Sequence, residues 1–122
     1  MTDVLQQRHG VQVLVCDPTG PVVATVQDAM DLVGAVFGGA EMVALPTDRL
    51  DEQFFTLSNG LAGEVMQKFV NYRLRLAVIG DISRHLEASP ALRDLVRESN
   101  TADHVWFLPD VGALDARLKA MS

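Results

Sequence analysis

The stretch "FFTLSNGLAGEVMQKFVNYRLRLAVIG", Phe54 to Gly80, carries a helix signal followed directly by a strand signal. At about 100° per residue, Leu61, Tyr72, Val65, Phe69, Ala62, Met66 and Val70 fill one arc of a helical wheel. Glu64, Gln67, Lys68 and Asn71 fill the opposite arc, with Gly63 at the boundary. Ser58 or Asn59 is a candidate cap at the start of that helix. Leu74–Gly80 is then a short apolar, β-rich run ending in glycine, the pattern of a strand buried on both faces. A helix that leads straight into such a strand is the second half of a parallel β–α–β unit.

The same alternation continues on both sides. "EMVALP" (Glu41–Pro46) reads as a buried strand. Ahead of it, Thr25 and Asp28 have capping-box spacing, Ala29, Leu32, Val33, Val36 and Phe37 keep helical spacing, and Gly38-Gly39 stops the helix. Downstream, "SPALRDLVRESN" starts with a Ser89 cap and Pro90 in the first turn, and Asn100 suits its stop. "HVWFLP" follows as a strand, and Asp110 caps a last helix with Val111, Leu114, Leu118 and Met121 at helical spacing. Near the start, "VQVLVC" (Val11–Cys16) and "PVVA" flank the turn-forming "DPTG", which reads as a β-hairpin. The fold expected is α/β: an N-terminal β-hairpin, then alternating helices and strands around a largely parallel central sheet.

At 122 residues, with 48% hydrophobic and 21% charged residues, residues 1–122 are expected to form one domain with its own core. A net charge of -6, with 10 basic residues scattered among 16 acidic ones, argues against a nucleic-acid partner. No apolar run approaches the roughly 20 residues that span a bilayer, and "MTDVLQQRHG" lacks the features of a signal peptide. The single Cys16 cannot form an intramolecular disulfide, so a cytoplasmic, reducing setting is expected.

Chemistry-bearing patterns are few. Ser58, Asn59, Gly60 and Gly63 surround a helix N-terminus, whose free N–H groups suit an anion, but neither the Walker nor the dinucleotide glycine pattern is present. Glu64, Gln67 and Asn71 form either a solvated face or a stripe facing a ligand or partner. Glu64 and Lys68 are spaced for an i, i+4 ion pair. Asp48, Asp81 and Asp110 each follow a strand and can meet at the carboxyl edge of a parallel sheet, where ligands bind, or serve as turn and cap residues. His9, His85 and His104 lack zinc-ligand spacing, and no G-x-S-x-G elbow occurs. No catalytic residue, cofactor or metal is therefore assigned. In "LDEQFF", Phe54 and Phe55 either fold onto the core or anchor a partner, including a second copy in a homodimer.

With these motifs placed, "FFTLSNGLAGEVMQKFVNYRLRLAVIGDIS", "LRDLVRESN" and "VWFLP" closely resemble domain-of-unknown-function family 4180. That resemblance implies a small cytoplasmic bacterial protein and supplies no catalytic residues. More distantly, the element order resembles the STAS domain of sulfate transporters and anti-sigma-factor antagonists. There an "SSGL" stretch opens the helix after the first central strand, and its second serine is phosphorylated by a partner kinase. The equivalent here is "SNGL", so Asn59 holds the phosphoacceptor position and Ser58 offers the hydroxyl. The "DRLDEQFF" segment is an insertion relative to that pattern. The resemblance implies a regulatory protein-interaction module. Its partner or ligand surface would comprise Ser58, Asn59, Gly60, Gly63, Glu64, Gln67 and Asn71, with Asp81 at the sheet edge. A small-molecule, nucleotide or phosphate binder using Asp48 and Asp81 is the alternative.

Overall fold

The computed structural model describes residues 3–36 and 39–121. Strands β1 (Val4–Arg8) and β2 (Val11–Val15) lead into helix α1 (Val26–Val36), strand β3 (Met42–Pro46) and helix α2 (Leu61–Asn71). Strand β4 (Arg75–Ile79), helices α3 (Ser83–Ala88) and α4 (Pro90–Thr101), strand β5 (Val105–Leu108) and helix α5 (Val111–Met121) complete the chain. The sheet has five strands in the order β1-β2-β3-β4-β5, antiparallel for the first pair and parallel for the other three. The α/β class, the N-terminal hairpin and the largely parallel sheet all stand. No helix among the described residues is long and apolar enough to cross a membrane.

The hairpin lies one strand earlier than "DPTG" suggests. Its turn is His9-Gly10, with φ of 48° and 84°, the left-handed pair that a two-residue hairpin loop requires. "VLQQR" lacks strict apolar alternation because β1 is an edge strand; Val4 and Leu5 stay about half exposed. "DPTG" is a local turn, in which the Gly20 N–H donates to the Asp17 carbonyl at 3.1 Å. "PVVA" is no strand; Val23 alone bridges to Leu50.

Because every parallel neighbour is the next strand in sequence, successive right-handed crossovers place their helices on one face. Alternation along each strand then divides the core. Val43, Leu45, Leu76, Val78, Val105 and Phe107 pack against α1, α2 and α4. Val13, Met42, Ala44, Ala77 and Trp106 face the other way, onto Leu114 and Leu118 of α5. Trp106 is fully buried there, with the guanidinium groups of Arg75 and Arg117 at 4.6 and 4.2 Å from its ring centroid.

The capping readings at Thr25, Ser89 and Asp110 hold. Asp28 N–H donates to Thr25 Oγ1 at 3.1 Å while the Asp28 carboxylate accepts from Thr25 N–H, also at 3.1 Å. Ser89 Oγ accepts from Leu92 N–H and Asp110 Oδ1 from Ala113 N–H. Phe37 and Gly38, which the sequence assigns to the end of α1, lie outside the described residues. Asn100 does not stop α4, which runs to Thr101. Its amide instead pairs with the outer edge of β5, accepting from Phe107 N–H at 2.7 Å and donating to the Phe107 carbonyl at 3.1 Å.

Among the described residues, one charged side chain is buried. Arg49, 4% exposed, donates through Nε to the Pro21 carbonyl at 2.7 Å and through Nη1 to Asp3 at 2.8 Å and the Asp17 carbonyl at 3.3 Å. This arginine fastens the β2–α1 connection and the start of β1 to the segment after β3.

Candidate functional site: the outer face of α2

The connection from β3 to α2 consists of three short 3-10 turns, at Thr47–Arg49, Glu52–Phe55 and Leu57–Asn59. Phe54 and Phe55 fold inward and are buried, their rings in edge contact at 5.2 Å. The core-packing alternative for "LDEQFF" is the one the chain adopts. These rings are therefore not an exposed anchor for a partner or a second copy.

Asn59 then sets the start of α2. Its Nδ2 donates to the Gln53 carbonyl and its Oδ1 accepts from Leu61 N–H, both at 2.9 Å. The amide ties the turn before the helix to the first helical residue. Gly60, at φ 79°, supplies the left-handed step into the helix. Ser58 is exposed and its hydroxyl makes no hydrogen bond among the described residues.

Along α2 only Ala62, Val65 and Phe69 are buried. The apolar arc is wider than the buried stripe, and Val70 and Tyr72 stay 38% and 43% exposed. The expected Glu64–Lys68 ion pair does not form; the i, i+4 contact that closes is Gln67 Nε2 to Asn71 Oδ1 at 2.8 Å. Glu64, Gln67 and Asn71 are all exposed, so the polar stripe is real. Beside it runs a groove of about 320 Å³ between α2 and α4. Gly63, Met66, Gln67 and Val70 form one wall, and Leu95, Ser99, Ala102, His104 and Val105 the other. Gly63 sits in the helix with nothing within 4 Å of the position its Cβ would take.

Asp81 lines a different cleft from the α2 groove. It lies beyond β4 and accepts from Ser83 N–H at 2.9 Å and Ser83 Oγ at 2.5 Å. The Ser83 hydroxyl above all, then its N–H, hold the Asp81 carboxyl below the usual carboxylate range. Asp81 shares a cleft of about 240 Å³ with Thr47, Asp48, Glu52, Arg84 and His85 at the carboxyl edge of the sheet. Asp48 and Asp81 thus meet as expected, whereas Asp110 caps α5. Arg84 pairs with Glu52 at 2.9 Å, and the His85 ring stacks on Phe55 at 4.3 Å. His85 stands on α3, a six-residue helix too short for periodicity to reveal. The Asp-x-Ser spacing of Asp81 and Ser83 was the available signal for its start. Among the described residues, no group of three His, Cys, Asp or Glu side chains is placed to hold a metal ion.

Cys16 is buried, and burial above all pushes its thiol up to about 12. It is not a nucleophile near neutral pH.

No curated protein and no solved structure matches the chain. The family model described as Domain of unknown function (DUF4180) matches residues 8–118, and the chain belongs to that family.

Proposed function

We propose that the chain is a non-enzymatic, STAS-like protein-interaction module with a regulatory role in the bacterial cytoplasm. Its recognition surface is the outer face of α2: the Ser58–Gly63 start, the Glu64–Gln67–Asn71 stripe and the adjoining groove. Gly63 is the observation that carries this reading. A glycine inside a helix costs about 0.5–1 kcal/mol relative to alanine, and no neighbour in the fold needs the space. A smooth wall beside an apolar groove suits the close approach of a partner, and apolar patches rimmed by polar groups mark such contacts. The sequential strand order supports the same choice, because it contains no strand-order reversal of the kind that opens a ligand crevice in doubly wound sheets. "SNGL" opens the helix that follows β3, as in the STAS pattern. With the Asn59 amide engaged in the turn, the free Ser58 hydroxyl is the group in that stretch open to phosphorylation.

Affinity capture from the native host, with wild-type, Gly63→Arg and Gly34→Arg chains as bait, tests the surface. Gly34 is an equally open helical glycine on α1, away from the groove. Gly63→Arg should lose proteins that Gly34→Arg retains. Identical recovery by all three baits would reject the α2 surface.

A second reading has its own support. Thr47, Asp48, Glu52, Asp81, Arg84 and His85 converge at the carboxyl edge, which suits a small molecule, nucleotide or phosphate compound. A thermal-shift screen with nucleotides, phosphorylated metabolites and Mg²⁺ tests it. Saturating ligand adds roughly 2.7 kcal/mol at a hundredfold excess over Kd, a shift of several degrees. A flat screen would count against this binder.

A further inference from the structure

The two edges of the sheet are treated differently. The outward N–H and C=O of Phe107 on β5 are both taken by the Asn100 amide. On β1 nothing comparable exists among the described residues. Parity fixes which groups are free. Glu41 N–H donates to the Gln12 carbonyl, and Cys16 N–H to the Ala44 carbonyl, so the even-numbered residues of β2 turn their backbone toward β3. Its odd-numbered residues Val11, Val13 and Val15 turn toward β1, where they pair with Arg8, Gln6 and Val4. Leu5 and Gln7 therefore point their N–H and C=O groups outward.

Natural edges are blunted by charge, proline or bulges. Val4–Gln7 contains no charge and no proline, and the β1–β2 register is continuous from Val4↔Val15 to Arg8↔Val11. Val4 and Leu5 are 49% and 50% exposed. The one charge on the strand, Arg8, is neutralised by Asp115 at 2.7 Å.

We infer that β1 is the homodimer contact, pairing antiparallel with β1 of a second copy about a two-fold axis at Gln6. In that register Leu5 exchanges both backbone hydrogen bonds with Gln7 of the second copy, and Gln7 with its Leu5. Val4 lies opposite the stem of Arg8, and the two Gln6 side chains meet across the axis. The symmetry is closed and isologous, which suits a self-pairing strand. The absence of charge over Val4–Gln7 and the Arg8–Asp115 pair mean that the second copy brings no like charge opposite. A continuous ten-stranded sheet results, twice the five strands of one copy. This contact is independent of the α2 surface and of Phe54 and Phe55.

The test is sedimentation equilibrium of the full chain over a dilution series. A species of twice 13.3 kDa that dissociates on dilution is expected. Leu5→Pro removes an outward N–H that β2 does not use, so it should give a folded monomer. Gln6→Glu keeps an acceptor for Arg8 Nε, which Gln6 Oε1 now binds at 3.0 Å, and sets two carboxylates face to face across the axis. It should weaken the dimer about five-fold, the upper end for like charges directly opposite on an antiparallel pair. A mixture with Gln6→Lys should restore association. Should Leu5→Pro fail to fold, the Glu/Lys mixture decides. A wild-type monomer at every concentration, or a dimer that neither Leu5→Pro nor the Gln6 pair alters, would overturn the assignment.

Discussion

Replacing Arg49 with methionine should detach the N-terminal segment from the rest of the domain. Methionine keeps most of the apolar stem but removes the guanidinium that binds Asp3, the Pro21 carbonyl and the Asp17 carbonyl. Breaking a fully buried ion pair costs about 3–5 kcal/mol. The Asp3 side chain is 26% exposed against 5% for Arg49, so water recovers part of that loss, and about 2–3 kcal/mol is expected. In a domain of this size that lowers Tm by roughly 10 °C. Urea unfolding gives the total, and Cys16, a free thiol buried beside Asp3, gives a local readout. If the segment opens as a unit, thiol labelling below the urea transition should accelerate roughly 100-fold, the equivalent of about 2.7 kcal/mol. The acid limb adds a sign test. Burial alone would raise the Asp3 carboxyl, but the Asp17 N–H and Arg49 outweigh it and hold it below the usual range. A depressed carboxyl stabilises the fold above its unfolded value and loses that contribution as pH falls through the folded one. The wild-type advantage over Arg49→Met should therefore shrink as pH drops below about 4. A loss under about 1 kcal/mol, or unchanged labelling of Cys16, would refute the view that Arg49 fastens this segment.

Gly63→Ala should raise stability by about 0.5–1 kcal/mol in thermal melts, because the added Cβ meets nothing; a loss would mean that the groove is narrower than described. Gly80→Ala should cost more than about 2 kcal/mol, since φ is 149° and the Cβ would overlap the Thr47 side chain. Adding Thr47→Ala should recover part of that loss in urea titration, and no recovery would discount the clash. Cys16 ionises at about 12 when folded against 9.0 for the free thiol. Its contribution is intact below pH 9 and declines as pH rises toward 12, an alkaline limb that should flatten in Cys16→Ala.

Most of the parallel half of the fold is legible because α1, α4 and α5 each carry both a periodic face and a capping residue. Thr25, Ser89 and Asp110 act within three residues of themselves, the range over which sequence pattern is informative. The hairpin was misplaced for the opposite reason. "DPTG" and "HG" are both turn signals, and the choice between them depends on which neighbour strand β2 acquires. β3 takes one edge of β2, and β1 rather than "PVVA" takes the other. Only the three-dimensional arrangement settles that competition. Arg49 is invisible in the same way, since its partners lie 28, 32 and 46 residues away.

The site divides along the same line. The polar stripe on α2 follows from the wheel, but the groove does not, because its second wall comes from α4 and from the start of β5. Asp81 follows β4 and lines the cleft with Asp48 rather than the groove, a placement set by the sheet. The two asparagines sharpen the point. Asn59 and Asn100 both read as helix caps, yet each spans from one element to another, closing the turn before α2 and the edge of β5. A polar residue so engaged cannot be substituted without disturbing its surroundings. The recognition groups that can be tested cleanly are therefore those whose removal leaves the fold intact. The Ser58 hydroxyl has no hydrogen bond to lose among the described residues, Gly63 has no neighbour to crowd, and Gln67 hydrogen-bonds to Asn71 on its own helix. Substitutions confined to these three should separate partner binding from stability, which the Asn59 position cannot do.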